Sequence, residues 1–132
     1  MAISFDKALG IHQYTVGVRS QRAEILASNL ANANTPGYKA QDIDFTRALQ
    51  AATYGANFGL NQTDERHIAA TSQIQSQKMY RIPNQPDTGD GNTVDAQVER
   101  NLFMQNALGY EASVEFLGAQ FKNMSKALGR NE

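Results

Sequence analysis

Near the C-terminus, Phe103, Ala107, Tyr110, Val114, Leu117, Phe121, Met124 and Leu128 recur in alternating steps of four and three. That spacing keeps all eight on one side of an α-helix, as a coiled-coil seam. Asn92-Thr93 offers an N-cap with Asp95 and Glu99 in the early turns, and Lys126 followed by Gly129 offers a stop. A helix from about Val94 to Leu128 is about 50 Å long at 1.5 Å per residue. A compact globule of 132 residues has a radius of gyration of only about 14 Å. The helix therefore overhangs any compact body that its own chain can build.

The N-terminal part carries a second helical pattern, from about Ser4 to Ala33. Leu9, Val16, Ala23, Leu26, Leu30 and Ala33 form one row, and Ile11, Tyr14, Val18 and Ile25 form another that points in a different direction. Pairing the two long helices as an antiparallel coiled-coil hairpin buries the C-terminal seam against one N-terminal row. The other row still lacks a partner, so the chain is expected to associate through its terminal helices with copies of itself or with relatives. The first helix must stop near Asn34, because a residue before proline is pushed out of the α region, and Pro36-Gly37 suits the centre of a type II turn.

Beyond the turn, Phe45, Ala48, Leu49 and Ala52 predict a short helix capped by Asp42 or Asp44. From Thr53 to Gly91 the signal weakens, with hints of strands at His67–Thr71 and Lys78–Ile82 among glycines and prolines. The expected fold is mainly α: residues 1–34 an assembly helix, 35–92 a turn, short helix and irregular, β-containing middle, and 93–132 a second assembly helix, all in one structural unit.

Composition narrows the function. A net charge of −1 gives no electrostatic case for nucleic acid or an anionic membrane, and the absence of cysteine removes disulfides and thiol chemistry. Asp6, Lys7, His12 and Gln13 interrupt the N-terminal segment, leaving no apolar run long enough for a secretory core or a membrane span. His12 and His67 are far apart and lack a second ligand at metal spacing. Asp87, Asp90 and Asn92 sit in "DTGDGN", which lacks the central glycine of a calcium loop and suits a turn before a helix. The pair Asp42 and Asp44 is better placed for capping than for acid–base work, and the serines have no nucleophile elbow. No cofactor, metal, small-molecule substrate or enzymatic activity is expected.

The run "LASNLANANTPGYKAQDIDF", residues 26–45, resembles the N-terminal signature of the flagellar axial proteins, the rod, hook and hook-associated subunits. "DIDF" and "YRIPNQPDTGDGNTVD", residues 80–95, resemble the proximal-rod branch of that family, and "NALGYEASVEFLGAQFKNMSKAL" its terminal helix. The resemblance implies a structural subunit of the bacterial flagellar basal body. Such a subunit is exported without a cleaved signal peptide by the flagellar type III apparatus and assembles on the periplasmic side. Implied partners are copies of itself, other rod proteins, a basal adaptor between rod and ring, and the export gate. Phe45 and Leu49 match a short motif that the gate reads in early subunits, and equally form one face of the short helix.

Within this frame the assembly interface is expected to comprise Leu9, Ile11, Val16, Val18, Ala23, Ile25, Leu26, Ala27, Leu30 and Ala31 together with the eight seam residues. Ala23, Ala27 and Ala31 allow close helix approach, and Asn29, Asn32 and Asn34 are expected to fix register. Thr35-Pro36-Gly37-Tyr38 redirects the chain, with Tyr38 as an aromatic anchor. The rival from another class is a soluble coiled-coil adaptor or export chaperone that closes as a dimer in the cytoplasm.

Overall fold

The computed structural model describes residues 8–55, 78–83 and 89–129. Helix α1 spans His12–Ala31, strand β1 Gln41–Ile43, helix α2 Phe45–Gly55, strand β2 Lys78–Tyr80 and helix α3 Ala96–Ala127. The long helices α1 and α3 pack against each other, and β1 and β2 form a two-stranded antiparallel sheet with Asp42 opposite Met79. The fold is the expected mainly helical hairpin with a small β element. The suggested strand at 67–71, His67, Asp87 and residues 1–7 lie outside the described residues.

Several boundaries differ from the sequence pattern for identifiable reasons. Gly10 adopts φ +58°, which interrupts the N-terminal helical pattern, so α1 starts after Ile11 and has no side-chain cap there. At its other end α1 stops at Ala31, and the backbone N–H of Asn32 bonds back to the carbonyls of Ser28 and Asn29. Helix α3 begins at Ala96 rather than Val94. Its N-cap is Asp95, whose carboxylate accepts from the N–H groups of Gln97 and Val98, because Asn92 and Thr93 are engaged elsewhere. Asp44 caps α2 by accepting from the Arg47 N–H at 3.1 Å, and Gly129 with φ +74° follows the end of α3.

The apolar core is small. Val18 and Ile25 of α1 are buried with Ile43 and Ala48, and Phe45 and Ala52 pack against them. The second N-terminal row is therefore covered in part by the chain's own β1 and α2, not left wholly for a partner; its outer member Ile11 remains 48% exposed.

The α1–α3 contact is not the apolar seam that the spacing suggests. From Glu99 to Ser113 the buried or half-buried positions of α3 are Glu99, Leu102, Asn106, Gly109 and Ser113. The seam residues Phe103, Ala107, Tyr110 and Val114 each lie one position further on from the last four, about 100° around the helix, and are exposed. A seven-residue row drifts about 20° per repeat on a straight helix. The drift brings Leu117 and Met124 into half-buried positions, whereas Phe121 and Leu128 stay exposed.

Candidate functional site

The Asn-rich segment at the end of α1 is tied to β1, to α3 and to the segment that leads into α3. Thr35-Pro36-Gly37-Tyr38 forms a turn closed by the Tyr38 N–H to the Thr35 carbonyl at 3.3 Å, with Gly37 at the φ of +73° that a type II turn requires. The Gly37 N–H donates to the Asp90 carbonyl at 2.8 Å and the Thr93 N–H to the Tyr38 carbonyl at 3.0 Å. Asn92, 7% exposed, donates from its amide to the carbonyls of Asn32, Ala33 and Thr35 at 2.9–3.1 Å. It thereby satisfies the carbonyls of the turn just beyond α1 and holds that turn against the segment leading into α3.

Asn29 is fully buried and uses both ends of its amide. Its Nδ2 donates to the Gln41 carbonyl at 2.7 Å and to Glu99 at 3.1 Å, and its Oδ1 accepts from the Gln41 N–H and the Tyr38 hydroxyl. These bonds fix the registry of α1, β1 and α3 inside one chain, so the expected registering role falls within the subunit for Asn29. The Asn32 side chain likewise bonds locally, donating to the Ser28 carbonyl and accepting from Thr35, while Asn34 is exposed.

A charged network extends from this hub. Arg22 grips Asp42 with two parallel bonds of 2.8 and 2.9 Å, Arg81 donates to Asp42 at 3.0 Å, and Arg81 also pairs with the fully buried Glu99. Burial by itself pushes the Asp42 carboxyl up, but the bond from Arg22, the N–H of Ile43 and both arginine charges together hold it below its ordinary 3.8. The same Asp42 bond raises Arg22 above its usual value. Asp42 thus serves as a structural anion, and the capping expected of it is done by Asp44.

Further along the hairpin, the Asn106 amide donates to the Arg19 carbonyl at 2.9 Å. The Arg19 guanidinium stacks over the Phe45 ring at 4.7 Å, and a Cβ on Gly109 would come within 2.6 Å of its carbon. A side chain at 109 would force the Arg19 guanidinium to shift from its place between the helices. These polar and small residues were missed by a search for apolar rows. The available signal was the recurrence of Glu99, Asn106 and Ser113 at seven-residue spacing on one helix face.

The expected assembly residues now divide into groups. Val18, Ile25 and Leu26 are buried inside the chain, Leu9, Val16, Ala23 and Leu30 are half-buried, and Ala27 and Ala31 are exposed. On α3, Phe103 and Tyr110 are each 38% exposed, Val114 43% and Phe121 47%. This row lies beside the Ser20–Ala23 edge of α1, and the two helices enclose a shallow, mainly apolar cavity of about 230 Å3. Phe45 and Leu49 are half-buried, Phe45 against the core. Among the described residues no cluster of His, Asp or Glu is arranged for a metal, and no helix is long and apolar enough to cross a membrane.

A helical hairpin that keeps its apolar row outside, fastened by an Asn-rich turn, defines a structural subunit, and the comparisons agree. Residues 18–39, which include the turn, match the family described as Flagella basal body rod protein. Over 97% of both chains the protein is 56% identical to the flagellar basal body rod protein FlgB of Aeromonas hydrophila. It is 42% identical to FlgB of Yersinia enterocolitica over 97% of this chain and 98% of that one, and 42% identical to FlgB of Salmonella typhimurium over 93% and 94%. The chain belongs to the FlgB family of flagellar basal body rod proteins.

Proposed function

We propose that this chain is a structural subunit of the proximal rod of the flagellar basal body, polymerising through its terminal helices with copies of itself and with other rod proteins. The observation that carries the assembly mode is the exposed row Phe103, Tyr110, Val114 and Phe121 on α3. Half-exposed aromatic residues in a continuous helical stripe are an unpartnered packing surface. On this reading the rod segment joins the inner-membrane ring and export gate to the distal rod, with a basal adaptor beneath it. The subunit reaches the periplasmic side through the flagellar type III apparatus. The adaptor or chaperone alternative is not favoured, since the relatives are rod proteins along nearly their whole length.

Export adds a requirement. Phe45 packs on the Val18–Ile25 core beneath Arg19, so a gate that reads Phe45 and Leu49 needs α2 released from α1. The test is complementation of a strain lacking this gene. Wild-type chain restores motility and is recovered in purified basal bodies with an unprocessed N-terminus. Phe45→Ala with Leu49→Ala leaves the chain in the cytosol, whereas Val114→Glu with Phe121→Glu lets it be exported without entering the rod. Recovery of the chain only in the cytosol of motile cells overturns the reading.

A further inference from the structure

Arg19 of α1 touches both of the other helices. Its guanidinium stacks on the Phe45 ring of α2 at 4.7 Å and abuts Gly109 of α3. Yet among the described residues this guanidinium makes no ion pair and no hydrogen bond, and its Nε is buried without an acceptor. Across the contact, Oδ1 of Asn106 is buried without a donor, although the same amide donates to the Arg19 carbonyl. A guanidinium carries five donors and ordinarily takes several acceptors. Arg19 is therefore kept in place by the two surfaces it touches and not by bonds of its own.

Both surfaces gain from that arrangement only while α3 is seated. A donor and an acceptor left buried without partners weaken the α1–α3 contact at this point, because both groups regain water when α3 lifts. Helix α2 is 11 residues long, too short to be stable alone, and it rests on α1 through Phe45, Ala48 and Ala52. It has little direct contact with α3. An influence of α3 on α2 thus has to pass through α1, and Arg19 is a side chain of α1 that meets both.

We propose that Arg19 is a relay that makes the seat of α2 conditional on the seat of α3. Gly109 holds the guanidinium against Phe45; when α3 lifts, Arg19 turns to water and Phe45 loses its cover. The glycine is needed because a side chain there displaces the guanidinium. The use of the relay in export, where lifting α3 presents Phe45 and Leu49 to the gate, rests on the function proposed above, whereas the relay itself does not.

Amide hydrogen exchange read along α2 tests it. In every chain compared, α3 is kept seated by Ala23→Cys and Ala107→Cys, which line one cavity between the helices, joined by a short bismaleimide. The chain has no cysteine of its own, so the linkage is unique. With Arg19 in place, the amides of Leu49 to Thr53 are expected to exchange slowly. Arg19→Ala should speed them about fivefold, the loss of one partly buried cation–π contact. Arg19→Lys should do nearly as much, since an ammonium cannot stack flat on the ring. Gly109→Ala should also speed them, although alanine ordinarily strengthens a helix, and should add nothing in an Arg19→Ala background. The amides of Leu26 to Leu30 in α1 should keep their rates throughout. Unchanged α2 exchange on Arg19→Ala, a Gly109→Ala effect that survives without Arg19, or equal acceleration in α1 each overturn the relay. Normal export of the chain carrying Phe45→Ala and Leu49→Ala would instead sink the export reading and leave the relay standing.

Discussion

At the scale of single residues, stability rests on a few polar side chains held away from water. Glu99 is fully buried and is bonded by Arg81 and Asn29. Removing one partner of such a pair leaves an uncompensated charge, which costs several kcal/mol. Arg81→Met is therefore expected to destabilise the chain by roughly 3 kcal/mol in urea unfolding, the low end of the usual range because the Arg81 side chain keeps some exposure. Asp42 gives a pH signature of definite sign. Its folded-state value lies below 3.8, so its stabilising contribution is complete above that value and is lost as pH falls through the folded one. Asp42→Asn should flatten the decline of Tm below about pH 4 while lowering Tm at neutral pH. Arg22 stays charged throughout this range, so the loss comes from protonation of Asp42 alone. A Cβ at Gly37 meets no neighbouring atom, so the cost of Gly37→Val includes the backbone strain of φ +73°, about 1–2 kcal/mol, and should impair assembly more than solubility.

At the scale of elements, Gly109 decides how closely α1 and α3 approach. Alanine in a helix interior ordinarily stabilises relative to glycine by about 1 kcal/mol. At position 109 a methyl group meets Arg19, so Gly109→Ala should show no gain or a loss, and the same change in an Arg19→Ala background should recover the gain. Urea unfolding of the four-protein cycle measures this coupling. The same pair of helices shows what the sequence made legible. The length of α3, the type II turn and the capping by Asp44 were readable because periodicity, Pro-Gly and an Asp before an apolar run act locally. The face that α3 turns toward α1 was not readable. Apolar spacing points to Phe103 and Tyr110, but the hydrogen bonds and ion pairs of Glu99, Asn106 and Arg19 with residues distant in sequence rotate the helix by one position. The closing of the second N-terminal row by Ile43 and Ala48 was hidden for the same reason, since it depends on where the turn sends the chain.

At the scale of the whole molecule, surface and core are separable. Val114 and Phe121 are each more than 40% exposed, so Val114→Glu with Phe121→Glu should alter urea stability by no more than about 0.5 kcal/mol per site, yet abolish motility in a complementation assay. Equal loss of stability and motility would place these residues in the subunit's own core. The amide of Asn92 carries a consequence for the order in which the chain takes shape. It reaches back 57 to 60 residues to the carbonyls of Asn32, Ala33 and Thr35 in the turn that follows α1. A chain emerging from its N-terminus, whether from a ribosome or from a narrow channel, presents α1 long before the residue that fastens the turn beyond it. The turn after the first helix is thus fastened only after most of the polypeptide has arrived, which makes the finished shape a property of the whole length.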